Sequence, residues 1–117
     1  MTWNDSQLWC FDTGGKLAEI ETEDENTFIR NSIISARSAN KITDGVWVGG
    51  TDQETEGVWK WASTNTNINF TFWAQGEPND FRGNEDCLEF AEDKGWWWND
   101  NNCEATMSFL CEILQNK

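Results

Sequence analysis

The spacing of hydrophobic residues predicts a helical first part of the chain. Thr2 is a typical helix N-cap, and a first helix is predicted over residues 3–11, ended by Gly14 and Gly15. Its buried side would consist of Trp3, Gln7, Leu8 and Phe11. Residues 16–20 then alternate polar and apolar side chains, as expected of a half-buried strand.

A second helix is predicted to begin after Thr22. Glu25 follows three positions later, so the two residues form a capping box, and the acidic first turn complements the positive end of the helix dipole. The apolar stripe of this helix would consist of Phe28, Ile29, Ile33 and Ala36.

Short strands separated by polar segments are predicted for the rest of the chain. They cover residues 46–48, 58–61, 87–90, 96–98 and 109–113. Alternation places Trp96 and Trp98 in the core and Trp97 on the opposite face. Residues 62–86 show little periodicity, and so long an irregular segment is uncommon in a compact domain unless it is functional. The pattern and length therefore predict one α+β domain over residues 1–117.

Composition and charge narrow the classes of function. The chain has 8 Lys and Arg, 21 Asp and Glu and no His, for a formal net charge of −13. This charge disfavours nucleic acid as a partner, and it disfavours membrane surfaces because no basic patch can attract anionic headgroups. No segment has the length of a transmembrane helix, so membrane insertion is not expected. The lack of His excludes Ser-His-Asp and Cys-His catalysis and the usual zinc sites.

The cysteines indicate structural disulfides. Cys10, Cys87, Cys103 and Cys111 are even in number and never form a Cys-x-x-Cys pair, which argues against zinc knuckles and thioredoxin-type sites. Their spacing alone leaves three connectivities open. Two disulfides are typical of an oxidising compartment, so a secreted protein or an extracellular domain is expected.

An acidic and amide-rich loop is the candidate site of chemistry. Residues 77–86 contain four carboxylates and two amides, and Asn99-Asp100 adds another pair. Oxygen ligands at this density, without His or thiolate, suit Ca²⁺, although solvated loop charge is the simpler alternative. Pro78 is the only proline, and a cis bond before it would fold the loop so that both flanking side chains face one ion.

At these residues the sequence resembles the C-type lectin-like domain family, over nearly the whole chain. Several short motifs occur in the family's order, and together they are far more specific than any one of them. They are Trp3–Cys10, Gly14–Ile20 and Glu25–Ile29 for its first helix, strand and second helix, Trp47–Gly50 for a central strand, and Glu77–Asn79 with Trp98–Asp100 for its calcium and sugar motifs.

The resemblance implies a fold and two calcium sites. The fold has two helices flanking small antiparallel sheets, a long irregular calcium-binding loop region, and the disulfides Cys10–Cys111 and Cys87–Cys103. It implies two Ca²⁺ ions as cofactors. The sugar-binding calcium would be held by Glu77, Asn79, Glu85, Asn99 and Asp100. The auxiliary calcium would be held by Asp52, Glu56, Asp80, Glu85 and Asp86.

The implied function is that of a calcium-dependent lectin without enzymatic activity. In the family, the order Glu-Pro-Asn accompanies mannose-type sugars, namely mannose, N-acetylglucosamine, fucose and glucose, so the expected partners are such glycans on glycoproteins or microbial surfaces. The side chains that would contact the sugar are Glu77, Asn79, Glu85, Asn99 and Asp100, with Phe81 as an apolar contact.

Other functions and an assembly also follow from the sequence. A calcium-dependent protein- or ice-binding module of the same fold is the main alternative. A glycosidase that uses paired carboxylates is disfavoured, because acids that hold Ca²⁺ are poor proton donors. The edge of the strand over residues 109–113 would be left open, covered by the tail over residues 114–117, or completed by a second copy of the chain, which would give a homo-oligomer.

Overall fold

The computed structural model describes residues 1–39, 44–78 and 83–113. Helix α1 spans Trp3–Asp12 and helix α2 spans Glu23–Ser38. Both predicted caps are present: Thr2 Oγ1 accepts from Asp5 N at 3.3 Å, and Thr22 Oγ1 accepts from Glu25 N at 3.1 Å. Neither helix has the length and apolar composition that crossing a bilayer requires, within these residues.

Eight short strands in the described part of the chain form two sheets. In the larger sheet the order is β4-β3-β2-β5-β6, and β7 pairs in parallel with β2. In the smaller sheet, β1 pairs with β8 in antiparallel orientation. The strands are β1 Gly15–Leu17, β2 Val46–Thr51, β3 Lys60–Trp61, β4 Thr66–Asn67, β5 Cys87–Ala91, β6 Trp97–Asn101, β7 Ser108–Phe109 and β8 Cys111–Ile113; a 3-10 helix, Glu92–Lys94, joins β5 to β6.

Trp98 lies at the centre of the core between α2 and the larger sheet. It is fully buried, and its ring packs edge-on against Trp61, Phe72 and Trp73, with ring centroids 5.4 to 6.0 Å apart. Its indole Nε1 donates to Asn26 Oδ1 of α2 at 2.8 Å, so the ring is held at both its apolar and its polar edge. Trp96 is also buried whereas Trp97 is 41% exposed, which confirms the predicted alternation.

Both disulfides have the connectivity that the resemblance implies. Cys10–Cys111 ties α1 to β8, and Cys87–Cys103 ties the start of β5 to the segment after β6. The second bridge therefore begins directly after the predicted site residue Asp86. The Glu77–Pro78 peptide bond is cis, which is the isomer that the calcium-loop interpretation requires.

The predicted buried side of α1 is wrong at two positions. Leu8 is 60% exposed and Phe11 is 48% exposed, whereas the helix buries Trp3, Ser6, Gln7 and Cys10. Polar contacts set this orientation, because Trp3 Nε1 donates to Val48 O at 2.8 Å and Gln7 Oε1 accepts from Leu17 N at 3.0 Å. The disulfide at Cys10 holds the same face toward β8.

Helix α2 also departs from its predicted stripe. Phe28 is 72% exposed, and the buried positions are Asn26 and Ile33. The strand prediction for residues 58–61 shortens to Lys60–Trp61, and the one for residues 109–113 divides into β7 and β8. The division falls at Leu110, whose N–H donates to Trp47 O while its carbonyl accepts from Ala18 N.

Candidate functional site

An acidic group lies where β2 ends and β5 begins. Thr51 and Cys87 are cross-strand partners, so the residue after one and the residue before the other also lie opposite each other. Asp52 N donates to Asp86 O at 3.0 Å, which fixes this neighbourhood. The carboxylate oxygens of Asp52, Glu56 and Asp86 lie within 4.8 Å of one another.

The environment of Asp52 distinguishes this group from solvated loop charge. Asp52 is 2% exposed, and its Oδ2 accepts from Gly57 N at 2.9 Å. Its Oδ1 is buried without a hydrogen-bond partner among the residues that the structure describes. A buried carboxylate oxygen without a donor is costly unless a cation is bound. Three carboxylates from two adjacent segments therefore fit a hard divalent cation such as Ca²⁺.

A cavity of about 540 Å³ contains part of the predicted sugar site. Glu77, Glu85 and Asn99 line it together. Segment 72–77 reaches this position because it runs beside β6: Ala74 N donates to Trp98 O at 2.8 Å, and Glu77 N donates to Ala74 O at 3.0 Å. These backbone bonds bring Glu77 to the strand that carries Asn99 and Asp100.

Glu77 has two charged neighbours. Its side chain is 5% exposed, and its Oε2 lies 3.4 Å from Lys94 Nζ. Burial raises the pKa of the Glu77 carboxyl, a hydrogen bond and Coulombic repulsion from fully buried Asp100 raise it further, and Lys94 opposes the shift. Two carboxyls this close favour a proton or a cation between them, and Lys94 supplies only part of the compensating charge, because the pKa of Glu77 stays raised in its presence. Glu77 and Asp100 therefore form a second place where a cation would be favoured.

A further acid, Glu89, lies at the inner wall of the cavity. Asn99 Nδ2 and Asn101 Nδ2 both donate to Glu89 Oε2, at 2.8 and 2.9 Å. Burial raises the pKa of Glu89 to about 7, and the hydrogen bonds from the two asparagines oppose the shift. This acid is therefore part of the polar network around Asn99.

Not every predicted site residue can be placed. Asn79, Asp80 and Phe81 lie outside the described residues. Glu85 lines the cavity with Glu77 and is absent from the group that Asp52, Glu56 and Asp86 form. The sequence reasoning missed Lys94 and Glu89; an acid inside the apolar strand Cys87–Ala91 was the one available signal for Glu89.

Comparisons with known proteins bear on this arrangement. Residues 1–113 match the family model described as "Lectin C-type domain". The chain is 34% identical over 114 residues to a C-type lectin of Thrasops jacksonii, a lectoxin, and the match covers 95% of the chain and 70% of that protein. The chain belongs to the C-type lectin domain family. It spans less than half the length of several other relatives that it matches.

Solved C-type lectin structures share the fold. The carbohydrate-recognition domain of the mouse scavenger receptor C-type lectin has a TM-score of 0.80 and 26% identity, covering 94% of this chain and 80% of that one. A calcium-independent type II antifreeze protein has a TM-score of 0.72 and 26% identity, covering 92% and 75%. Members of this family are generally binding modules without enzymatic activity and typically bind Ca²⁺. Because the fold also occurs in a calcium-independent protein, calcium binding by this C-type lectin domain depends on its own side chains.

Proposed function

We propose that this C-type lectin domain is an extracellular, calcium-dependent lectin for mannose-type glycans. The observation that carries the proposal is the convergence of Glu77, Glu85 and Asn99 on one cavity, with Asp100 buried behind Glu77. These side chains come from two segments far apart in the sequence. They supply both carboxylate oxygens and an amide, which is the combination that a bound ion with sugar hydroxyls requires.

Each residue type has a defined task in this proposal. Glu77, Asn79, Glu85, Asn99 and Asp100 would hold the ion. A bound Ca²⁺ would supply coordination positions that two neighbouring sugar hydroxyl oxygens can fill. The carboxylates of Glu77 and Glu85 would accept the hydroxyl protons, and the amide nitrogens of Asn79 and Asn99 would donate to the hydroxyl oxygens. Phe81 would offer an apolar face to the sugar ring.

The acidic group at the β2–β5 junction has a different proposed task. Asp52, Glu56 and Asp86, with Asp80 and Glu85 from the same loop, would hold a second Ca²⁺. The acidic group brings three carboxylates together, so it suits an ion that stabilises the loop. The proposal therefore contains two ions, of which one contacts the glycan.

Mannose-type selectivity rests on the order of the donor and the acceptor. In C-type lectins, Glu before the proline and Asn after it accompany mannose-type ligands, and the exchanged order accompanies galactose. Glu77-Pro78-Asn79 has the first order. A protein- or ice-binding surface has no need of this arrangement, which is why the lectin is preferred over that alternative.

Retention on immobilised mannose tests the proposal. The domain should be retained in Ca²⁺, released by chelator, and retained less on immobilised galactose. Glu85→Gln should abolish retention. Asp93→Asn is the matched control, because Asp93 lines the same cavity with the same charge but belongs to neither predicted ion site. Retention that survives chelator, or equal loss in both variants, would contradict the proposed mechanism.

A further inference from the structure

Glu89 is a buried acid for which the proposed lectin function has so far assigned no task. It lies in β5 and is 4% exposed, and Asn99 is its cross-strand partner in β6. We propose that Glu89 is a positioning residue that sets the orientation of the Asn99 side-chain amide for the ion and the sugar. This inference rests on the proposed function, because Asn99 is one of its predicted ligands.

The strand register brings the three polar side chains together. Side chains alternate along a strand, so Glu89, its partner Asn99 and the diagonal neighbour Asn101 extend from the same face of the sheet. Trp98 and Asp100 extend from the other face and are fully buried. Both asparagine Nδ2 atoms are within 2.9 Å of one oxygen, Glu89 Oε2.

The chemistry of the carboxyl group determines which way the Asn99 amide points. An amide has one oxygen acceptor and two N–H donors, and an ionised carboxylate can only accept. A neutral carboxyl with its proton on Oε1 still presents Oε2 as an acceptor. With Oε2 as the acceptor, Asn99 directs its nitrogen to Glu89, which leaves Oδ1 and the second N–H for other partners. A cation would bind Asn99 Oδ1, and a sugar hydroxyl oxygen would accept from the second N–H. The single hydrogen bond to Glu89 therefore orients both of these groups.

The fold makes room for Glu89 at Gly45. A Cβ on residue 45 would overlap with Glu89 Oε1. The residue has no positive φ, so glycine is needed there for space rather than for backbone conformation. Residues that hydrogen-bond a metal ligand through the polar atom that does not contact the metal fix the orientation of that ligand. Mutation of such a residue typically lowers metal affinity or activity by about 10- to 100-fold.

Three variants separate orientation of Asn99 from general stability. Glu89→Met keeps the length of the side chain but removes the acceptor. Glu89→Gln keeps an amide oxygen that can replace Oε2. Asn101→Ala removes the other donor to the same oxygen and leaves the contact between Glu89 and Asn99 intact.

The first readout needs no ion or sugar. In chelator, NMR should show that the Asn99 side-chain N–H exchanges with solvent about tenfold faster in Glu89→Met than in wild type, because one hydrogen bond is lost. Exchange in Glu89→Gln and Asn101→Ala should stay close to wild type. If Glu89→Met does not fold, exchange in the wild-type protein still tests the inference. A wild-type Asn99 side-chain amide that exchanges as fast as that of an exposed asparagine overturns it.

The second readout is mannose affinity in Ca²⁺. Glu89→Met should bind about 10- to 100-fold more weakly, and the other two variants should bind nearly as well as wild type. Equal binding by wild type and Glu89→Met, or equal loss in Glu89→Met and Asn101→Ala, overturns the inference. Failure of wild type to bind mannose overturns the proposed function instead, and the exchange of the Asn99 amide then still decides the role of Glu89.

Discussion

The two acidic regions of this domain differ in what surrounds their carboxylates. At the β2–β5 junction, Asp52, Glu56 and Asp86 approach one another as acids. In the cavity, acids are interleaved with amides and with Lys94, which already contacts Glu77. Carboxylates alone favour an ion, whereas mixed acceptors and donors favour an ion together with hydroxyl groups. In the proposed function, the acidic group would hold an ion alone, and the neighbouring cavity would hold an ion together with the sugar.

The largest expected effect comes from removing an acid of the cavity. Glu85→Gln should weaken mannose binding by about 100-fold or more, since hydrogen bonds to charged groups contribute up to about 3 kcal/mol. Isothermal titration with mannose in Ca²⁺ measures this loss, and Asp93→Asn should bind like wild type. Similar affinities for wild type and Glu85→Gln would erase the distinction between the two regions.

A second prediction concerns the pH dependence of stability through Glu89. Its pKa is raised to about 7 in the folded state, above the ordinary value of 4.5. The folded state therefore binds the Glu89 proton more tightly than the unfolded state does. The protonated Glu89 contributes its full stabilisation below about pH 4.5, and this stabilisation is lost as the pH rises through about 7. From pH 5 to pH 8 in chelator, the free energy of unfolding of wild type should fall by about 2 kcal/mol relative to that of Glu89→Gln.

Urea unfolding of both proteins at each pH measures this difference. Glu104→Gln provides the control, because Glu104 is an exposed acid that undergoes the same chemical change. Free energies of unfolding that follow the same pH profile in wild type and Glu89→Gln would show that Glu89 does not take up a proton in the folded domain.

The third prediction tests the order of acceptor and donor in the cavity. Glu77→Gln combined with Asn79→Asp should move preference from mannose toward galactose, with a change of about tenfold in the affinity ratio. Competition by free mannose and free galactose for one immobilised ligand measures that ratio. An unchanged ratio in a variant that still binds calcium would contradict the assignment of these two side chains.

The smallest expected effect belongs to the acidic group, and its sign depends on calcium. Asp52→Asn should raise stability in chelator, on the order of 1 kcal/mol, because it removes repulsion among partly screened acids. The same variant should lower the stabilisation that Ca²⁺ gives, because a ligand is lost. Thermal unfolding with and without Ca²⁺ measures both. The same change under the two conditions would argue against an ion at this group.

Local signals predicted much of the fold. Thr2 and Thr22 cap the two helices as expected, and the alternation of Trp96, Trp97 and Trp98 is confirmed. Leu8 and Phe28 are exposed although they were predicted to be buried. Periodicity identifies apolar residues along a helix, but it does not determine which of two overlapping helix faces packs against the rest of the domain. Contacts from elsewhere in the chain, such as those of Trp3 with Val48 and of Trp98 with Asn26, decide that choice.

Some residues of the candidate site could likewise be named from the sequence, and others depend on the folded structure. Its motifs are contiguous in the sequence, so Glu77, Asn99 and Asp100 could be named in advance. Glu89 and Lys94 could not, because their contacts depend on the register of β5 with β6 and on how segment 72–77 lies beside β6. Long-range register and the path of an irregular segment have no short sequence signature.

Strand β5 connects the two regions: Asp86 precedes it and Glu89 lies within it. Three residues of extended chain, about 10 Å, separate an acid of one region from an acid of the other. In the proposed function, this shared strand would link the occupancy of the two places. If an ion at the acidic group strengthens glycan binding by some factor, the glycan must strengthen binding of that ion by the same factor. A dense glycan surface would thus retain calcium in the domain at concentrations where the isolated domain releases it.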